Sequence, residues 1–431
     1  MTMQEMYHAK LGSLEGALAL VKSGDVLATA CYGSEPSGFL QNLHTVAPGV
    51  SGVKIWLGNT VRRYPFAYDS SLAGHIDIVS VFFGKDCRDA HPDRRASLSP
   101  ANLSDSGSCI VNTLRPNVFV AAVSPVDENG NVRMSFDVEY ALECLEAADT
   151  VIFEVNRNHP RFNGETAIPL QKASYVYEVD MPLPYAAEFK PTAADEAIAG
   201  YVASLVRDGD CIQLGIGGTS SAVGRALAGK HDLGIHTEMI TATMGELMRA
   251  GAVTNKRKNF NPGKTIGSFV FGDQALYDYL DGNGDVILRR CSWVNDPFVI
   301  SQNDNMVSIN TAMQVDLTGQ ICSESIGTRQ YSGTGGAFDF AYGAYRSKGG
   351  RGIIAINSTT RDGNISKIQP VLDPGAVVTI TRNVSDYIVT EYGIAKMRNR
   401  TIKERVDALI AIAHPDFRGE LRRQAEKYML W

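Results

Sequence analysis

The chain has 431 residues, 44% hydrophobic and 20% charged, enough for two or three domains with ample core. A formal net charge of −6 gives no basic face, so no nucleic-acid partner is expected. The seven cysteines (31, 87, 109, 144, 211, 291 and 322) form neither a Cys-x-x-Cys pair nor a Cys/His cluster, so no disulfide framework and no metal site are expected.

Met1–Gly12 lacks an apolar core of signal-peptide length, and no run approaches about 18 apolar residues. The expectation is a cytoplasmic, reduced protein with no membrane partner. Ser13 is placed to cap a helix over Leu14–Val21. Strand-like runs follow at VKIWLG, IDIVSVFFG, VFVAAVSPV and TVIFEVN, with a helix expected over Val138–Ala148. Pro182, Pro184 and Pro191 then interrupt periodic structure, which sets an N-terminal half at 1–185 and a C-terminal half at 190–431. Thr192 can cap a helix carrying Ile198, Val202, Leu205 and Val206 on one face. Beyond it CIQLGIG, TIGSFVFG, MVSINTAM, GIIAIN and VVTIT read as strands, and a helix is expected near Thr401–Ala413. Alternating strands and helices predict an α/β fold of largely parallel sheets. Ligands of such sheets lie beyond the carboxyl ends of the strands.

One unit is written twice. LVKSGDVLATACYGSEP (Leu20–Pro36) and LVRDGDCIQLGIGGTSS (Leu205–Ser221) align without a gap at an offset of 185. Each reads as a helix end, a Gly-Asp turn, a short strand and a glycine-containing loop that opens a helix.

Three features carry candidate chemistry. Gly215-Ile216-Gly217-Gly218-Thr219-Ser220, with Glu238 about twenty residues on, imitates a dinucleotide fingerprint. Ser220 stands where that fingerprint wants Gly or Ala, and the same residues also describe a plain tight turn. Ser332-Gly333-Thr334-Gly335-Gly336, followed by Asp339, is a second loop open to a bound oxygen, or a simple surface loop. Third come the carboxylates Glu238 and Glu324. A Glu, with an ordinary pKa of about 4.3, is ionised at neutral pH and can attack an activated acyl group without a base. The competing readings of Glu238 are a ribose contact in an NAD(P)-binding oxidoreductase and a solvated surface residue. His414 reads as a helix-end cation, and Asn255-Lys256-Arg257-Lys258 as a phosphate contact or a solvated charge run.

The stretches GDCIQLGIGG, IHTEMI, VTNKRKNFNPGK, WVNDPFVISQNDNMVSIN, DLTGQICSESIGTRQYSGTGGAFDF and VTEYGIAKMRNRTIKERVDALIAIAHPDFR are similar to the acetyl-CoA hydrolase/transferase family. The resemblance covers nearly all of 200–425 and points to short-chain acyl-CoA:carboxylate CoA-transferases of the 4-hydroxybutyrate or butyryl-CoA:acetate type. The N-terminal half resembles the family more patchily, through Gly33–Pro36 and AVSPVDENGNV. The resemblance implies a class I CoA-transferase fold, two related open α/β domains with the active site between them. It also implies a ping-pong exchange through a glutamyl-CoA thioester, with an acyl-CoA hydrolase using the same Glu as the alternative. The glutamate after the Gly-Ile-Gly turn is the family's nucleophile, which here is Glu238. Ser323-Glu324-Ser325 looks like the Ser-Glu-Asn-Gly motif of related enzymes, but the spacing from the turn matches Glu238. CoA contacts carry over to Gly215, Ile216, Gly217, Gly218, Thr219, Met313, Gly333, Gly335, Gly336 and Asn383. The implied partners are acyl-CoA and small carboxylic acids, with CoA as substrate, no tightly bound cofactor, and a homodimer or homotetramer. Between Gly84 and Val118 the family's Gly-Arg, aromatic and Pro pattern is absent or rearranged, a departure that bears on the acid pocket if this segment walls it.

Overall fold

The computed structural model describes residues 2–430. The chain forms two compact units. The first comprises Met1–Ala186 with Glu238–Ile240 and Ile266–Val294; the second comprises Ala187–Thr237, Thr241–Thr265 and Asn295–Trp431. The consecutive halves expected from the prolines therefore differ from the compact units at two inserted segments, one of which carries Glu238.

The first unit is built on a seven-stranded sheet ordered Ala96–Leu98, Ile76–Ser80, Val53–Trp56, Val26–Thr29, Val118–Val123, Thr150–Asn156, Tyr175–Val179. All its pairings are parallel. Helices on the faces of a parallel sheet bury its strands on both sides, and Val118–Val123 is buried at every position. Phe39, Leu40, Ile55, Phe66, Val120 and Ile152 are among the residues of this core.

The second unit has a six-stranded sheet ordered Gly234–Ile235, Cys211–Leu214, Met306–Thr311, Arg351–Ala355, Tyr387–Thr390, Gly393–Lys396. Its pairings are parallel except the last, a hairpin. Its core includes Val315, Leu317, Ile354, Ile388, Leu409 and Ile410.

The duplicated unit is present at its predicted register. Val26–Thr29 and Cys211–Leu214, the fourth of seven strands and the second of six in their sheets, are offset by 185 residues. Each is also the strand where chain order reverses: Val26–Thr29 lies between Val53–Trp56 and Val118–Val123, and Cys211–Leu214 between Gly234–Ile235 and Met306–Thr311. Reversal opens a crevice at the carboxyl end of that strand, the usual ligand site of an open α/β sheet.

Thr192 caps Ala193–Leu205 through a capping box with Asp195, and Thr401 caps Ile402–Ile412 with Glu404. Ser13 caps a shorter helix than expected, Leu14–Leu18. The expected helix from Val138 begins only at Ala141, because 137–139 is tied to extended backbone at 268–269. VVTIT is not a strand of the large sheet. Only Ile380 bridges, to Ile321, and the sheet position is taken by Tyr387–Thr390. Both segments are β-branched, so local pattern does not separate them. The divergent stretch 84–118 forms the helix Lys85–Ala90, the edge strand Ala96–Leu98 and the helix Ser106–Thr113. Buried Arg95 anchors it by donating to the carbonyls of Phe66 (2.8 Å) and Ala67 (2.9 Å).

Candidate active site

The fully buried strand Cys211–Leu214 ends at the glycine turn. Gly215 N–H still donates to Ile309 O at 2.8 Å, holding the start of the turn to the neighbouring strand. Gly217 has φ +106°, a conformation that side chains with a Cβ rarely adopt, and it caps the helix Gly218–Ala226. The first amides of that helix have no intrahelical acceptor and point toward the loop end, a ready anion or oxyanion cradle. Ile216 is half exposed at the tip. Beneath the turn, Gln213, Ser308 and Asn310 form a buried hydrogen-bonded group, with Gln213 Nε2 donating to Asn310 Oδ1 at 3.0 Å and Ser308 Oγ donating to Gln213 Oε1 at 3.0 Å.

The second glycine loop is braced by Glu324. Its backbone carbonyl accepts from the amides of Tyr331 (2.9 Å) and Ser332 (3.0 Å). Its carboxylate accepts from the hydroxyls of Thr334 (3.2 Å) and Thr379 (2.9 Å). Gly335 has φ +54° and Gly336 caps the helix Ala337–Arg346. Met313 is half-buried and its amide donates to Cys322 O at 2.8 Å, while Asn383 is exposed in the turn after Ile380. Residues 322–324 thus tie together Met313, the Ser332–Gly336 loop and the 379–383 segment. The strand Met306–Thr311 joins this group to the Gly215 turn. All ten positions expected to contact CoA lie in the second unit, and buried Glu324 braces the second glycine loop.

Glu238 belongs to the first unit and is half-buried on a bend just before the short strand Met239–Thr241. Its backbone carbonyl accepts from the amides of Ser268 (2.8 Å) and Phe269 (3.0 Å), which fixes the bend to 268–269. The same segment pairs on its other side with 136–138: Val138 N–H donates to Ser268 O at 3.2 Å, and Val270 N–H to Phe136 O at 2.9 Å.

That pairing assembles an acidic cluster the sequence reading missed. Asp137 accepts from the amides of Cys31 (2.6 Å) and Glu139 (2.8 Å). Tyr32, itself at φ +54°, stacks on Phe269 with centroids 4.7 Å apart. Cys31 Sγ lies 2.9 Å from Tyr140 Oη, and Cys291 N–H donates to Glu139 O at 2.9 Å. Burial, then the charges of Asp137 and Glu238, raises Glu139 well above the carboxylate range. Burial also raises Asp137, against the two amides it accepts from. Tyr32 and Cys291 are pushed up by burial and by this negative surrounding, Glu238 included. The alternation of SFDVEY, with Asp137 and Glu139 two apart between apolar residues, was the available signal.

Two charged groups differ from their sequence reading. Lys258 is neither a phosphate contact nor solvated, for its buried ammonium donates to the carbonyls of Ile235 (2.9 Å) and Lys264 (2.7 Å). His414 follows Ala413, the C-cap of Ile402–Ile412, as expected of a helix end, but it also caps the N-terminus of Pro415–Lys427, where its Nδ1 accepts from Asp416 N–H at 3.4 Å and a cation would oppose that helix's dipole. Among the described residues, no group of three or more His, Cys, Asp and Glu is placed to hold a metal ion, and no helix is long and apolar enough to cross a membrane.

Comparison with known proteins shows the family. The acetyl-CoA hydrolase/transferase N-terminal domain matches residues 1–185 and the corresponding C-terminal domain matches 272–425. The chain is 40% identical to a succinyl-CoA:cyclohexane-1-carboxylate CoA transferase of Geobacter metallireducens, over 98% of this chain and 97% of that one. It is 38% identical to a 4-hydroxybutyrate coenzyme A transferase of Clostridium kluyveri, over 99% of this chain and 100% of that one. The crystal structure of RipA from Yersinia pestis, 33% identical, superposes with a TM-score of 0.94 and covers 100% of both chains. The chain belongs to the acetyl-CoA hydrolase/transferase family.

Proposed function

We propose that the protein is an acyl-CoA:carboxylate CoA-transferase that exchanges CoA between short-chain acids, such as butyryl- or 4-hydroxybutyryl-CoA and acetate. Glu238 is the nucleophile. The observation that carries this reading is its setting: a half-buried carboxylate on a bend pinned by two backbone hydrogen bonds, beside a buried acid, Glu139, that burial and its negative neighbours push toward the protonated form.

The reaction runs in paired exchanges. A Glu238 carboxylate oxygen attacks the thioester carbonyl, the C–S bond breaks, and the thiolate leaves with the electron pair. The thiolate then attacks the glutamyl carbonyl of the mixed anhydride and expels the first acid as its carboxylate, leaving a glutamyl-CoA thioester. The incoming carboxylate reverses both steps. One thioester replaces another, so no nucleotide triphosphate is consumed. CoA is held by Gly215–Thr219, Met313, Gly333, Gly335, Gly336 and Asn383, in the C-terminal domain of about 190–431. The N-terminal domain of about 1–185 completes the enzyme. Amides of the glycine loops are the donors to each developing oxyanion, each well-aimed donor worth about 3 kcal/mol. We further propose a cytoplasmic homodimer or homotetramer without a tightly bound cofactor.

Hydrolysis is the second reading, favoured by the partial exposure of Glu238, which gives water a route to an anhydride or thioester there. Incubation with butyryl-CoA, borohydride reduction and peptide mass spectrometry should find the reduced adduct at residue 238, and Glu238→Ala should abolish it. An adduct that survives Glu238→Ala refutes the assignment. CoA release that is unchanged by acetate, with no acyl exchange, makes the enzyme a hydrolase.

A further inference from the structure

Strand Cys211–Leu214 is buried at every position yet carries Gln213, and its parallel neighbour Met306–Thr311 carries buried Ser308 and Asn310. Strands covered on both faces of a parallel sheet are ordinarily apolar throughout. The register sets Gln213 beside Ser308, and Asn310 lies two residues on, so the three side chains share one face. Gln213 and Asn310 exchange two hydrogen bonds. Gln213 Nε2 donates to Asn310 Oδ1 at 3.0 Å, and Asn310 Nδ2 donates to Gln213 Oε1 at 3.1 Å. Ser308 Oγ accepts from Asn310 Nδ2 and donates to Gln213 Oε1, both at 3.0 Å. Among the described residues the three side chains bond only to one another.

Gly215 is the next residue on that face. A Cβ there would lie 3.2 Å from Asn310 Oδ1 and 3.5 Å from Ser220 Oγ. The Asn310 carboxamide therefore occupies the room that a side chain at 215 would need. Buried Ser220 closes the other side from the first turn of Gly218–Ala226.

We propose that Asn310, held by Gln213 and Ser308, is a positioning residue for the CoA cradle: it sets where the Gly215 turn lies and so where the amides that follow it point. The inference rests on the reading of Gly215–Thr219 as a CoA contact.

A buried polar group whose members satisfy one another contributes little net stability over apolar residues of the same shape. What it supplies is direction. Turning either carboxamide over would set donor against donor and acceptor against acceptor, so Asn310 has one orientation, whereas a Leu there would choose among rotamers. Gly215 is then fixed on three sides, by its N–H bond to Ile309 O at 2.8 Å, by Asn310, and by the start of the helix. Misplacing a binding element by about 1 Å can cost about 100-fold, so a turn that offers backbone amides to a ligand gains from such a fixture.

The test is a double-mutant cycle between Gly215→Ala and Asn310→Ala, read as the Kd for CoA by calorimetry, with thermal melts alongside. Asn310→Ala should weaken CoA binding about 10- to 100-fold in a protein that still melts cooperatively. Gly215→Ala should weaken it comparably, because the new Cβ crowds Asn310 Oδ1. That crowding is gone in the Asn310→Ala background, so the double variant should bind within about threefold of Asn310→Ala alone. Absence of CoA binding by the wild type defeats the cradle reading and the positioning role with it. With wild-type binding intact, a folded Asn310→Ala variant that binds CoA like wild type overturns the positioning role alone. A Gly215→Ala penalty of equal size in both backgrounds also overturns it. If Asn310→Ala does not fold, Asn310→Ser, which keeps a hydroxyl for Gln213, takes its place in the cycle with the same outcomes.

Discussion

Thr219 donates its hydroxyl to Asp195 Oδ1 at 2.5 Å, so the one polar side chain of the Gly215–Thr219 turn is engaged in tying that turn to the helix Ala193–Leu205. Burial acts to raise Asp195, yet the hydrogen bonds from Thr219, Thr192 and Asn357 outweigh it and leave the carboxyl below its ordinary range. Thr219→Val removes a hydrogen bond to an ionised acceptor and should cost about 2 kcal/mol in urea denaturation, whereas Thr219→Ser should restore most of it. Equal stability of the Val and Ser variants would contradict this tether.

Glu324 should behave as a brace. Glu324→Ala removes the one oxygen, Oε1, that accepts from both the Thr334 and Thr379 hydroxyls, and leaves the buried donor of Thr379 without it at about 1–3 kcal/mol. The melting temperature should drop and KM for acyl-CoA should rise, while the trapped adduct stays at residue 238. Disappearance of the adduct with the fold intact would give Glu324 a chemical role.

Stability should decline from mildly acidic toward mildly alkaline pH through Glu35. Burial pushes this carboxyl up to about 8, against hydrogen bonds from the Tyr64 hydroxyl and the Val61 amide. The folded state thus binds the proton more tightly than the unfolded chain, so the stabilisation is present below the ordinary Glu range and is lost as pH rises through about 8. Burial sets the same sign for Glu154, raised to about 7, and Asp86, raised to about 6. Glu35→Gln should flatten part of the loss, read as the difference in urea midpoint between about pH 5 and pH 8.

His159 should act with the opposite sign. Burial lowers its pKa to about 3, and its Nε2 accepts from Ser135 N–H at 3.3 Å, which requires a neutral ring. Unfolded His takes up a proton near its ordinary pKa of about 6.5, so stability falls as pH drops from there toward about 3. His159→Gln should lower stability at neutral pH while reducing this acid sensitivity. An unchanged acid slope would show that other groups set it.

The sheet core was legible wherever a strand is buried on both faces, as at Val118–Val123 and Met306–Thr311, because an apolar run between turn signals leaves few alternatives. The register between Val26–Thr29 and Cys211–Leu214 was legible because the repeat aligns without a gap. Tyr387–Thr390 was not, since VVTIT offers an equal local pattern and only the partner strands Arg351–Ala355 and Gly393–Lys396 decide between them. The acidic cluster was hidden for a related reason. Cys31, Asp137, Glu139, Ser268 and Cys291 are drawn together by backbone pairing across long sequence separations, and no local window contains them. Lys258 misled because three neighbouring polar residues imply solvent, whereas two carbonyls inside the unit claim its ammonium.

Glu238–Ile240 and Ile266–Val294 complete a unit whose other residues all precede position 187. A nascent chain halted after Ala186 would carry the seven-stranded sheet yet lack Ser268, Phe269 and Cys291, the residues that close over 136–140. Final consolidation of that unit therefore waits until residue 294 has left the ribosome. Severing the gene at the proline-rich boundary would give an early fragment with an unfilled seam, and would hand its missing stitches to the later one.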